Sequence, residues 1–518
     1  MILSMSLTMA VIAATPRQMT LLHIADTHAQ LETHPEFMPG EDPVYPQMGG
    51  FARLKTAIDQ ARADASGPSF LVDGGDTFQG SAPAAWSKGE AVVGPFNGLG
   101  VDLCVPGNWE VVYGPRQFRK LMREVKCKVL AYNFHDAKTH QRLFAPAIIL
   151  ERGGVRVAFI GVTDPTTTTR QPPDQVRGLD STQMTGLRAF VQELKNQKKP
   201  DLVVLIDHTG LTVSRQLARE IPELDVILSG HTHERTTAPI IEGRTLIVEP
   251  GSMGSFLGRL DLTVGPEGGV VAHDFQLIPV RENDFPEDPA MKKLVAVAIA
   301  PFRKRMDEVV GHSETILARY DVLETSADNF VADAVRESAQ ADIGSTNGFR
   351  FAPPILAGPL TVGQLWSLLP LDARVKMGWI TGAELRAYLE QELELVFSKN
   401  PWKLSGGWGP RLSGVELVFA AHGEAGQRLR SLKVGGKDVQ DGLRYTFAGC
   451  ERAGEVLDVV CRLKGVHEVK ILPASVHQML RSYLDRHPVI APRADGREVA
   501  MDVQGPAFSQ DALLSEGK

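Results

Sequence analysis

"TLLHIADTH", residues 20–28, is the stretch on which the fold turns. An apolar run interrupted only by His23 reaches Ala25, and Asp26 and His28 follow at once. A run that is apolar throughout rather than alternating suits a strand covered on both faces of a sheet. The arrangement recurs. "SFLVD" (69–73) leads into "GGD" with Asp76, and "VDLCV" (101–105) into "PGNWEVVYG" with Asn108. "DLVVLID" (201–207) is followed by His208, and "DVILSG" (225–230) by His231 and His233. Further runs lie at 128–133, 155–161 and 245–251, with helical stretches such as 50–65 and 212–220 between them. Strands alternating with helices imply α/β layers. In open α/β sheets, sites gather at the carboxyl ends of strands.

Those ends carry Asp26, His28, Asp76, Asn108, His208, His231 and His233. Alone, each motif has a bland reading: DxH as a helix cap beside a satisfied histidine, GGD and GHTH as turns. Together, at successive strand ends, they read as a centre for two divalent cations. Two close cations need a carboxylate that can bridge them, and Asp76 is suited to it. Neutral imidazoles and an amide oxygen fill the shells without adding charge. The set suits Mn or Zn, with Fe or Co also fitting, and is too rich in imidazole for Ca or Mg. Ions roughly 3.5–4 Å apart would clamp both oxygens of an in-line displacement, with a metal-bridging hydroxide as nucleophile.

The order D-x-H, G-G-D, G-N-x-E, H, G-H-T-H resembles the calcineurin-like metallophosphoesterases. "LLHIADTHAQL", "GVTDP" (161–165) and "EPGSMGSFLGRLDL" (249–262) narrow the resemblance to the 5′-nucleotidase family over roughly residues 19–480. It implies a four-layer α/β/β/α sandwich followed by a smaller α+β C-terminal domain. It also implies one ion on Asp26, His28, Asp76 and His233, and a second on Asp76, Asn108, His208 and His231. Asn108, Trp109 and Glu110 fall on the catalytic loop of that pattern.

Trp109 is the departure. Phosphate-ester members of this family carry a His there, oriented by an Asp three residues later; here the positions hold Trp109 and Val112. A positioned acid contributes ~10²–10⁴-fold, so its loss concerns the leaving group, unless Trp109 is only packing. "WEVVYG" and "GGDTFQGSAPAAW" (74–86) resemble the thiosulfohydrolases of the bacterial sulfur-oxidising pathway, which release sulfate from a cysteine-linked carrier protein at a dimanganese site. This chain differs from that branch in keeping Asn108, where a His is usual, and in lacking its long insertion after the first metal loop.

The 518 residues are too many for one core, so two or three domains are expected. The division runs 1–18 as a possible leader, 19–282 as the metal domain, 283–311 as a linker and connecting helix, 312–503 as a substrate domain, and 504–518 as a polar, frayed tail. Residues 289–310 read as one amphipathic helix, "ETILARY" (314–320) as a strand, and Ser326 as the cap of the helix after it. In the second domain "STNGFRF" (345–351) resembles the family's Asn-Gly segment ending in an Arg that faces an anion. Asn347, Phe349, Arg350, Trp408 and Arg411 are its candidate substrate residues. The family's Gly-Gly-Asp-Gly segment is replaced by "GCERAGEVLDVV" (449–460).

A net charge of −7 with no dense basic run argues against nucleic-acid polymers. Four scattered cysteines give no disulfide framework, and Cys104, in an apolar run, reads as a buried free thiol. "MILSMSLTMAVIAATP" is too short to span a bilayer and reads as a secretory segment lacking a positive start. A periplasmic or secreted protein follows, or a cytoplasmic one if the chain starts at Met19, with no stable membrane insertion in either case. The reading is a dimetal hydrolase acting on a phosphate ester of a nucleotide or related small molecule. The alternatives are a thiosulfohydrolase-like enzyme acting on a thiosulfonate-bearing carrier protein, and a metal-retaining binding protein without turnover.

Overall fold

The computed structural model describes residues 15–40, 42–349, 351–404, 408–409, 411–505, 509 and 511. In its first half two six-stranded sheets lie face to face. Arg17–Ile24 runs parallel to Ser69–Asp73 and antiparallel to Phe256–Val264, and Leu103–Cys104 and Lys128–Val129 extend the same sheet. In the other sheet Val155–Val162, Leu202–Asp207, Val226–Ser229 and Thr245–Val248 run parallel, with antiparallel edges. Leu21 points into the core between the sheets with Val72, Phe159, Val204 and Leu228. Its neighbour Leu22 points outward, against the helix Phe51–Ala63. The second sheet is covered by Leu187–Lys198 and Leu211–Glu220. The central strands of each sheet are thus buried on both faces, which is why they are apolar throughout, while the edge strands are partly exposed. The result is the expected α/β/β/α sandwich.

The second half is built on a five-stranded sheet, in the order Arg411–Ser413, Ile343–Thr346, Arg444–Cys450, Arg374–Thr381, His467–Ser475. Phe447 joins the core under the helix Gly382–Phe397, and Ala448 the opposite core under Ser326–Ala339 and Val476–Arg486. Thr381 with Glu384, and Ser475 with Gln478, form capping boxes that turn strand ends directly into helices.

Several expectations are corrected. Cys104 is not free: it is disulfide-bonded to Cys127, because pairing of Leu103–Cys104 with Lys128–Val129 brings the two Cα atoms to 6.2 Å. Residues 289–310 are not one helix. Pro289–Ile299 ends ahead of Pro301, which has no N–H to extend the helical hydrogen bonding beyond Ala300, and the short Arg303–Met306 and the strand Val309–Ser313 follow. Within "ETILARY" only Leu317 makes a β-bridge, to Ile355. The helix cap is Thr325, whose hydroxyl accepts from Asp328 N–H; the Ser326 hydroxyl donates to Ile316 O at 2.8 Å instead. The first strand begins at Arg17, inside the expected leader. Most of the tail lies outside the described residues. Asp511 nonetheless docks on the first half, 2.9 Å from Arg215 and 3.0 Å from Thr212.

Met291, Val295 and Ile299 of the connecting helix belong to the core of the first half. The helix is therefore part of that body rather than a tether.

Candidate metal centre

All seven ligand candidates are buried at the carboxyl ends of the strands. Asp26, His28 and His233 bring ligand atoms within 4.8 Å of one another, and so do Asp76, His208 and His231. Asp26, His28, Asp76, His231 and His233 all have positive φ. That region is sparsely used by residues other than glycine, and such strain is held where the surroundings fix it. The tight strand-to-loop turns aim these side chains into one small volume. Gly107 leaves them room: a Cβ there would sit 2.2 Å from Asp76 Oδ1.

The donor set fits cations. His208 donates from Nδ1 to Gly74 O at 2.6 Å, the backbone partner expected of a ligating histidine. Its Nε2 lone pair then faces Asp76 Oδ2 at 3.2 Å and Asn108 Oδ1 at 3.3 Å. Three acceptors converging in a buried place need a positive charge between them. Without one, His208 itself must take a proton. Burial opposes that, but the charges of Asp76 and Asp26 push its pKa well above the usual range. On the other side His28 Nε2 lies 3.1 Å from His233 Nε2, which is 3.3 Å from Asp26 Oδ1. Burial, and then His233, lower His28 to about 4, so the ring is neutral, as a ligand must be.

Glu110 does not face the ligand volume. Its carboxylate accepts from Asp76 N at 3.2 Å and Gly107 N at 2.7 Å with one oxygen, and from Thr77 N at 2.6 Å and Phe78 N at 3.4 Å with the other. It ties the loop of Asp76 to the loop of Asn108, and so orders the two segments that carry ligand candidates. Trp109 contributes its backbone N–H to Asp76 Oδ1 at 2.8 Å. Its ring meets Phe349 and Phe351 edge-on at 5.3 and 5.2 Å.

Phe351, which sequence reasoning missed, stacks on His28 at 4.7 Å. Its only signal was its place two residues beyond Phe349. Phe349 and Phe351 stack on each other at 5.0 Å and 19°, leaving no space for a planar ring between them. Asn347 lines the cleft that opens from the ligands. Arg350 lies outside the described residues. Trp408 and Arg411 do not line the cleft. Trp408 is packed in the core beneath Gly382–Phe397. Arg411 is buried, donating to Asp321 O at 2.9 Å and Val322 O at 3.0 Å, with Glu498 at 3.3 Å.

Among the described residues no helix is long and apolar enough to cross a membrane. Residues 19–235 match the calcineurin-like phosphoesterases, and residues 309–450 match the 5′-nucleotidase C-terminal domain. The chain is 25% identical over 489 residues to a 5′-nucleotidase of Vibrio cholerae, covering 83% of each. It is 25% identical over 468 residues to the trifunctional nucleotide phosphoesterase YfkN of Bacillus subtilis, covering 80% of this chain but only 30% of that longer protein. The solved structure of the sulfate thiohydrolase SoxB of Thermus thermophilus superposes with a TM-score of 0.85 at 25% identity, over 95% of this chain and 98% of that one. From matched segments in both halves, the shared sandwich and the two ligand clusters at its strand ends, the chain belongs to the 5′-nucleotidase family of calcineurin-like phosphoesterases, which are metal-dependent hydrolases.

Proposed function

We propose that the chain hydrolyses a phosphate ester of a nucleotide or related compound, with Asp26, His28, Asp76 and His233 holding one divalent ion and Asp76, Asn108, His208 and His231 the other. The observation that supports this reading is the convergence of His208, Asp76 and Asn108 acceptors on one buried point. Bound ions supply an activated water and charge for the oxygens of the transferred group. The protein orients the ligands: Gly74 O fixes the His208 ring, Gln79 holds His28 Nδ1 at 3.2 Å, and Glu110 holds both loops. Trp109, Phe349 and Phe351 exclude water from one side. Mn or Zn fits the donor chemistry, with Fe or Co as further options. The Cys104–Cys127 disulfide favours an oxidising compartment, periplasmic or extracellular.

A second reading is favoured by one observation: no imidazole occupies the place of Trp109, which instead packs against aromatic rings. A leaving group that needs no proton, such as a thiolate, suits that surface. This is the thiosulfonate reading, and likeness to the sulfate thiohydrolase supports it. Turnover of p-nitrophenyl phosphate, a nucleoside 5′-monophosphate and a cysteine S-thiosulfonate peptide by the Mn-loaded protein ranks the two readings. Turnover of none of them would leave only a metal-retaining binding protein.

A further inference from the structure

The ligand clusters open into a cleft of about 890 Å³, and a wall of that cleft carries Arg170, Arg452 and Arg462. Arg170 ends the short turn Thr167–Arg170 in the first half; Arg452 and Arg462 follow the strand Arg444–Cys450 in the second. The two segments touch. Arg452 Nη2 donates to Arg170 O at 2.5 Å, and Asp174 N–H to Ala453 O at 3.2 Å. Gln171, beside Arg170, donates to the carbonyl of Asn108 at 2.8 Å, which ties this wall to the metal loop. The second segment is pinned at its base: Cys450 N–H donates to Cys461 Sγ at 2.9 Å, and Cys461 N–H to Cys450 O at 2.7 Å.

Three like charges are thus held together in a partly desolvated place. Burial lowers the Arg170 pKa, and Arg462 and Arg452 lower it further against the pull of Asp164. The carboxylates nearby do not use up the donors. Asp164 is 3.6 Å from Arg170 and Glu455 is 3.5 Å from Arg452, both beyond a good hydrogen bond; only Glu392 reaches Arg462 closely, at 2.7 Å. Among the described residues the buried Nε atoms of Arg452 and Arg462 have no hydrogen-bond partner. Unpaired buried donors are uncommon, and planar guanidinium forks match phosphate and carboxylate oxygens.

We infer that Arg170, Arg452 and Arg462 form a second anion subsite, so that the substrate carries two anionic groups, one at the candidate metal ligands and a second phosphate or carboxylate at the guanidiniums. The inference rests on the hydrolase reading above and narrows it: a nucleoside 5′-monophosphate has no second anion, whereas a bisphosphate or a carboxylate-bearing ester does.

The test uses the full, metal-loaded chain and competitive inhibition of p-nitrophenyl phosphate turnover. Alkylphosphonates are compared with alkanebisphosphonates and ω-phosphonocarboxylates of matched length, over a range of spacers. At some spacer length a series with two anionic groups should bind about 10-fold or more tightly than its match with one, the size of one charge-assisted contact. Which series wins separates phosphate from carboxylate. Arg452→Gln should shrink that ratio, and Arg462→Lys, which keeps a charge opposite Glu392 and so protects folding, should shrink it less. If the ester is not turned over, the hydrolase reading fails separately, and the same ratio is read by calorimetry. A ratio near one at every length, or a ratio unchanged in both folded variants, would overturn the subsite.

Discussion

Trp109 meets Phe351 edge to face, ring centroids 5.2 Å apart at 87°, and Phe351 in turn stacks on the ligand candidate His28. A residue next to the ligand candidate Asn108 thus packs against the second half of the chain, over the candidate site. The place where a proton donor would be expected is an apolar contact between the two halves.

That contact should show in the leaving-group dependence. With no positioned acid, an activated aryl phosphate should turn over at least ~10²-fold faster than a ribose 5′-phosphate. Trp109→His with Val112→Asp should narrow the gap by restoring an oriented imidazole. Val112 is buried and Trp109 half-buried, so circular dichroism must first show a native fold. Equal rates on both esters in the wild-type protein would mean that another group gives the proton and that Trp109 is packing.

Glu110→Gln should act without touching substrate. An amide cannot accept from four backbone N–H groups on both sides, and its own NH₂ would oppose some of them. Metal affinity should fall ~10–100-fold, as for other groups that support metal ligands, and excess metal should restore much of the rate. Unchanged affinity by metal titration would show that the loops hold themselves.

Cleavage should divide the chain late. Because Met291, Val295 and Ile299 pack in the first core, we expect a stable N-terminal fragment from nicking at residues 300–308, and a destabilised one from nicking at 282–288. The late-cut fragment contains all seven ligand candidates and should still bind two metals. Limited proteolysis with elemental analysis of the fragments checks both points; a folded late-cut fragment without metal would count against the ligand assignment.

The first half was legible in the sequence because its signal is double. Leu21 and Leu22 enter different cores, so the run is apolar throughout, and Asp26 and His28 follow where the strand ends. The second half was less legible. Trp408 and Arg411 sit in a loop and strand that look like substrate contacts, yet burial decides their role, and burial depends on the distant Asp321, Val322 and Glu498. Cys104 reads as free in the sequence because Cys127 reaches it through strand pairing, which spacing does not reveal. The Arg170, Arg452 and Arg462 cluster is assembled from both halves and leaves no local motif.

Asp76 would serve both ions of the proposed two-ion centre. The most direct test is the metal content per chain of the wild-type protein and Asp76→Asn after loading with Mn²⁺ and gel filtration, with turnover measured on the same samples. The account predicts two ions per chain in the wild type, and clear loss of metal with abolished turnover in the folded variant. Full occupancy with a near-normal rate in Asp76→Asn would contradict it.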